Sequence, residues 1–220
     1  MGGDDGLSVV APPFETAGRP ETRVAGVLLA AGTSSRFGAA NKLLADLDGE
    51  PLARHAARTL VDAGLDSLVA VVGYEADRVR AAVDGLGLTV VENPDYADGQ
   101  ATSVRAAVET LDADLDTDVD AAVFALGDMP RVSSETVSLL VAAHRAGRGS
   151  ALAAAHDGVR GNPVLFDASQ FPALAGVEGD VGGRELLRSG ADSALVETGD
   201  PGVRRDVDTR DDLAAVRDEG

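Results

Sequence analysis

Short runs of Val, Leu and Ala alternate along the chain with stretches in which apolar residues return every three or four positions, and the alternation starts at Val24. Residues 24–31 read as a buried strand, and residues 51–63 as a helix with Pro51 near its first turn and Gly64 as its stop. Residues 67–73, 75–83 and 88–92 continue as strand, helix and strand. A further helix opens near Gly99 in DGQATSVRAAVETL, and DAAVFALGD, residues 120–128, is a fourth strand ending on an acid. Repeated βα units of this spacing predict an α/β domain on a doubly wound, mostly parallel sheet.

Beyond residue 145 the pattern is looser. Residues 150–155, 162–166 and 194–198 read as strands, GDVGGRELLRSG as a Gly-rich loop running into a short helix, and residues 209–216 as a closing helix with Thr209 as N-cap. The opening 23 residues are rich in Gly, Pro and acid without a sustained period, so residues 1–23 are expected to form a disordered tail and residues 24–220 a single domain. In LDADLDTDVD, residues 111–120, every second residue is acidic, which reads as a solvated loop.

Composition narrows the function classes. At 220 residues and 45% hydrophobic, the chain can bury one sizeable core. A net charge of -18 argues against a nucleic-acid partner, whose phosphates need a basic face. Without cysteine, disulfides and thiolate metal sites are excluded. No apolar run approaches a membrane span and the first residues lack a signal-peptide pattern, so a cytoplasmic protein is expected. The 37 acids accompany 18 arginines and a single lysine, a surface of the kind that suits molar salt, where screening suppresses self-repulsion. The melting temperature is expected to rise between low and molar KCl; a flat or falling value contradicts that adaptation.

The lone lysine, Lys42, follows LLAAGTSSRFG, a buried strand running into Gly32, three hydroxyl residues, Arg36 and Gly38. Ligands bind open α/β sheets at the carboxyl ends of strands, where a Gly-rich turn offers successive N–H groups to phosphate. The loop therefore reads as a phosphate cradle with two added cations. Five residues separate Gly32 from Gly38, and Ala39 and Ala40 stand where a Walker loop has Lys and Ser/Thr; the G-x-G-x-x-G fingerprint is also absent. In FALGDMP a strand delivers Asp128 to the same sheet edge, where a carboxylate can hold Mg2+ against phosphates. His55, His144 and His156 have no metal-ligand spacing.

LLAAGTSSRFGAANKLL resembles the signature of nucleotidyltransferases that activate small phosphorylated molecules, specifically the molybdenum cofactor cytidylyltransferase type of the MobA-like NTP transferase family; the guanylyltransferases of the same cofactor are near relatives. GEPLARHAARTL fits the family's next helix, and the likeness spans residues 24–217. It implies a Rossmann-like, glycosyltransferase-A-like fold and a nucleotide site at Leu29, Ala30, Ala31, Gly32, Thr33, Ser34, Ser35, Arg36 and Lys42. ENPDYADGQATSV resembles the element that leads into a helix beside the nucleotide, adding Gly99 and Ser103. RRDVDTRDDL resembles the closing acidic pattern, so Asp206 or Asp208, with Asp206 preferred, would join Asp128 on the metal. RGNPVLF and EGDVGGRELL imply an acceptor pocket at Asn162, Pro163, Asp180, Gly182 and Arg184.

The resemblance implies that Lys42, Arg36 and Asp128 catalyse transfer of CMP from CTP to molybdopterin with Mg2+ and release of pyrophosphate, with transient contact to a recipient molybdoenzyme. LAAG rather than LAGG matches the cytidylyl branch, since the Ala31 methyl leaves less room beside the base. One methyl discriminates by only about 1–3 kcal/mol, so GTP, or a sugar phosphate as acceptor, stays open. A nucleotide-binding chaperone without turnover is the alternative of another class.

Overall fold

The computed structural model describes residues 6–15, 21–34, 36–38, 40–113, 118–177, 179, 183–190 and 192–218. Its elements in chain order are β1 (Ser8–Val10), β2 (Val24–Ala30), β3 (Asp46–Leu47), β4 (Glu50–Pro51), α1 (Leu52–Asp62), β5 (Ser67–Val72), α2 (Ala76–Ala82), β6 (Thr89–Glu92), α3 (Gln100–Ala113), β7 (Ala121–Leu126), α4 (Ser134–Arg145), β8 (Ala151–His156), β9 (Val159–Asp167), α5 (Phe171–Ala175), α6 (Arg184–Ser189), β10 (Ser193–Glu197) and α7 (Arg210–Asp218).

Eight strands form one sheet in the order β1-β10-β8-β9-β7-β2-β5-β6. Among the described residues of this sheet, only β9 runs against its neighbours, pairing antiparallel with β7 and β8. Alternation along the strands divides the core into two layers. Val24, Leu28 and Ala30 with Ala70 and Val72 meet residues of α1, α2 and α4, whereas Ala25, Val27, Val69 and Val71 meet those of α3, α5 and α6. Both faces of the sheet are thus covered, which is why its central strands read as continuous apolar runs.

The opening segment differs from the expected tail. Ser8–Val10 pairs parallel with β10, Ser8 opposite Ala194, and Leu7 is buried. Val9 and Val10 cover the open edge of β10; three residues between Gly- and Pro-containing stretches are too short to show a period. Of the acidic run, residues 114–117 lie outside the described residues. The helix α5 was not expected either, being five residues long with Pro172 in its first turn.

Two glycines fix the return of the chain toward the sheet's working edge. A Cβ on Gly161 in β9 would collide with the Val203 carbonyl oxygen, and one on Gly202 with the Arg131 carbonyl oxygen. The turn at Pro201–Arg204 therefore lies flush on β9 and on the segment after β7. Asp200 secures it, accepting from the N–H groups of Gly202 and Ser133 and from Thr136 Oγ1. From there the chain runs past the end of β7, where Val207 N–H donates to the Asp128 carbonyl at 2.9 Å.

Candidate active site

Four chain segments meet at the carboxyl ends of β7, β2, β5 and β6. The loop after β2 is held by a small buried network. Ser34, in the left-handed region at φ 56°, donates from Oγ to Asn41 Oδ1 and accepts from Lys42 N–H. Asn41 Oδ1 also accepts from Leu43 N–H, and its Nδ2 donates to the Tyr74 carbonyl. Asn41 is only 2% exposed and caps the 3-10 turn Lys42–Leu44, so the Lys42 backbone is fixed from both sides. The sequence reading assigned Asn41 no role; a short polar side chain just before KLL was the available N-cap signal.

Lys42 Nζ lies 2.6 Å from Asp128 Oδ2 and 2.6 Å from Asp208 Oδ1. Arg36 is mostly exposed and reaches Asp208 Oδ2 at 3.1 Å. Burial pushes the Asp128 carboxyl above the ordinary carboxylate range; the Lys42 charge opposes that and the negative charge of Asp206 adds to it. Burial by itself would lower Lys42, but the attraction and hydrogen bonds of Asp128 and Asp208 prevail and hold it above its usual value. Asp208 is lowered, first by the hydrogen bond from Lys42, against a smaller cost of burial and with further help from Arg36.

Asp128 Oδ1 is buried and has no hydrogen-bond partner among the described residues. A small hard cation takes one or two carboxylates and completes its shell with phosphate oxygens and water. Asp128 with Asp208 fits that requirement. Asp206 is exposed, and among the described residues no three His, Cys, Asp or Glu come together as a protein-only metal cage. The preference for Asp206 thus meets a structure in which Asp208 is the acid joined to Lys42, because Val207 is buried between them and the turn into α7 carries Asp208 inward.

These groups line a cleft of about 470 Å³. Of the nucleotide residues expected from sequence, Leu29, Ala31, Gly32, Thr33 and Ser34 line it from the β2 loop, together with Arg36 and Lys42. Gly99 and Ser103 line it from the start of α3, although Ser103 is buried and its Oγ accepts from Asn93 Nδ2. Ala30 is not at the cleft: strand alternation turns it into the core beneath α1 and α4. Ser35 lies outside the described residues. Tyr96, the tyrosine of ENPDYADGQATSV, and Gln100 also line the cleft, though neither was among the nucleotide residues expected from sequence.

A second cavity of about 380 Å³ adjoins the first, sharing Leu29, Gln100 and Leu126 with it. Asn162 and Arg184 line this cavity beside Arg160, with Phe124, Phe166 and Leu187 among its apolar lining. Pro163 sits instead in a narrow crevice with Ala56, Thr59 and Met129. Asp180 and Gly182 lie outside the described residues. The three histidines stay away from both cavities; His144, for example, is a buried partner of Asp167. No helix among the described residues is long and apolar enough to cross a membrane.

Known proteins are similar to this chain in sequence and in fold. Nicotine blue oxidoreductase of Paenarthrobacter nicotinovorans is 36% identical over 195 residues, covering 84% of this chain and 92% of its own. The purine catabolism protein PucB of Bacillus subtilis is 30% identical over 87% of this chain and 95% of its own. The molybdenum cofactor cytidylyltransferase of Escherichia coli is 26% identical over 87% and 94%. Among solved structures, Rv0371c of Mycobacterium tuberculosis superposes with a TM-score of 0.77 at 30% identity, covering 90% of this chain and 98% of that one. A complex of Rv0371c with manganese has a TM-score of 0.73 at 28% identity, covering 90% and 100%. Residues 26–195 match the MobA-like NTP transferase domain family, and the chain belongs to that family as a nucleotidyltransferase.

Proposed function

We propose that the protein transfers CMP from CTP to the terminal phosphate of molybdopterin, releasing pyrophosphate. The observation that carries this reading is the single ammonium of Lys42 held 2.6 Å from two carboxylates on the floor of a cleft edged by a Gly-Thr-Ser loop. The attacking phosphate oxygen is already anionic near neutral pH, so the reaction needs positioning and charge neutralisation more than a strong base. It forms a bond to the α-phosphorus of CTP as the bond to the β-phosphate oxygen breaks.

In this account the loop amides after β2 and Arg36 hold the β- and γ-phosphates, and Lys42 stabilises charge around the α-phosphate. Asp128 and Asp208 hold Mg2+, which supplies positive charge to the phosphates when bound. The acceptor occupies the second cavity, whose apolar floor and rim of Asn162, Arg160 and Arg184 suit a planar body with an anionic group. Likeness to the Escherichia coli cytidylyltransferase and the methyl of Ala31 support CTP as donor. The product passes to a molybdoenzyme in a transient contact.

One observation favours a second reading: identity to nicotine blue oxidoreductase, 36%, exceeds the 26% to the cytidylyltransferase. On that reading the cleft serves a redox reaction. The concentration of cation and carboxylate chemistry at Lys42 favours phosphoryl chemistry. Purified protein, CTP or GTP, Mg2+ and molybdopterin are to be assayed for pyrophosphate. Release with CTP in step with consumption of molybdopterin is expected; faster release with GTP overturns the choice of base, and none with any NTP overturns the transfer reading.

A further inference from the structure

The sheet order sorts the cleft by charge. Asp128 follows β7 and the Lys42 loop follows β2, so the charged groups stand over one side; β5 and β6 lie on the other. There the lining is Tyr96, Ala97, Gly99, Gln100 and Ser103, all uncharged. If the triphosphate of a bound nucleotide lies over β2 and β7, its base lies over β5 and β6. This step rests on the reading of the cleft as an NTP site.

Gly73 directly follows β5 on that side. A Cβ built on it would stand 2.6 Å from Tyr96 Cβ, 2.8 Å from Tyr96 Cγ and 2.9 Å from Ala31 Cβ. The missing side chain at Gly73 is therefore what lets Tyr96 and Ala31 close on one another across the end of β5. The arrangement is braced from several sides. Tyr74 N–H donates to the Ala31 carbonyl, and Asn41 Nδ2 donates to the Tyr74 carbonyl, linking the phosphate loop to this wall. Asn93 N–H donates to the Val72 carbonyl, Asn93 Oδ1 accepts from Asp95 N–H, and Asn93 Nδ2 donates to Thr102 Oγ1 and Ser103 Oγ. The 3-10 turn Tyr96–Asp98 is thereby stapled between the ends of β5 and β6 and the start of α3.

We propose that Tyr96, seated by Gly73 against Ala31, is the wall that selects the nucleobase. Tyr96 is the specificity-determining residue and Gly73 a positioning residue that acts through it. A braced wall limits the size of the base admitted beside it, whereas the charged half of the cleft handles any triphosphate alike. The ring, not the hydroxyl, carries the effect, because it is the Cβ and Cγ of Tyr96 that Gly73 accommodates.

The test measures binding of CTP, GTP and inorganic triphosphate by calorimetry, and the CTP-to-GTP ratio of kcat/KM, in wild type and in Tyr96→Phe, Tyr96→Ala and Gly73→Ala. Tyr96→Ala should shrink the discrimination between the bases by about tenfold, through KM more than kcat. Gly73→Ala should shift it in the same direction, Tyr96→Phe should preserve it, and triphosphate binding should stay at the wild-type value in Tyr96→Ala. Wild-type nucleotide binding with unchanged discrimination in Tyr96→Ala overturns the wall alone, even if Gly73→Ala does not fold. Absence of nucleotide binding in the wild type overturns both the wall and the NTP reading beneath it.

Discussion

Replacing Lys42 by Ala is expected to lower turnover about 10²- to 10³-fold while leaving the circular dichroism spectrum intact. Loss of one preorganised donor to developing negative charge costs about 2.7–4 kcal/mol of transition-state stabilisation. Lys42 is preorganised in that sense: Asn41 and Ser34 fix its backbone, and its ammonium is drawn to Asp128 and Asp208. Its upward-shifted pKa keeps it protonated through the neutral range. Lys42→Arg should restore little, because a planar fork cannot follow an α-phosphate oxygen through in-line displacement as a compact ammonium can. Single-turnover rates with saturating nucleotide separate this from weaker binding. A folded Lys42→Ala protein with near wild-type turnover removes Lys42 from the chemistry.

Asp128→Asn should abolish the metal-dependent part of activity, a loss on the order of 10³-fold, in line with removal of a preorganised electrostatic contact. Asn keeps the shape and one carbonyl oxygen but gives up the charge that a divalent cation needs. Direct titration of Mn2+ in the presence of nucleotide should show weakened metal binding. Unchanged metal dependence rules Asp128 out as a ligand. The pH profile carries a second signature. Burial, reinforced by Asp206, raises the Asp128 pKa against the pull of Lys42. On the proposed reading the carboxylate form holds the cation, so activity should fall with decreasing pH through that raised pKa, at a higher pH than an ordinary carboxylate would give. In Asp206→Asn one opposing charge is gone, and this limb should move to lower pH.

Much of the site was legible in sequence because two local signals carry it. A buried strand running into Gly32 and a strand running into Asp128 both end on the same sheet edge, and the parallel βα pattern is enough to bring them together. That Asp208 rather than Asp206 pairs with Lys42 was not legible. Alternation puts both acids on one side of Val207, and what decides is remote: Gly202 against Arg131, Gly161 against Val203, and the bond from Val207 to the Asp128 carbonyl. The role of Asn41 in fixing Lys42 was not legible for a similar reason, since its partner, the Tyr74 carbonyl, lies beyond a different strand's end. The first strand, β1, is recognisable only once β10 offers it an edge.

On the proposed function, the bond broken lies between the α- and β-phosphates of the nucleotide, in a cleft where Lys42 and Asp128 stand together. Transfer of label from CTP carrying ³²P at the α position, in the presence of molybdopterin and Mg2+, tests it directly. The α label is expected to move to the acceptor while γ-labelled CTP yields labelled pyrophosphate. Release of the γ label as orthophosphate, or an acceptor that stays unlabelled while CTP is consumed, contradicts it.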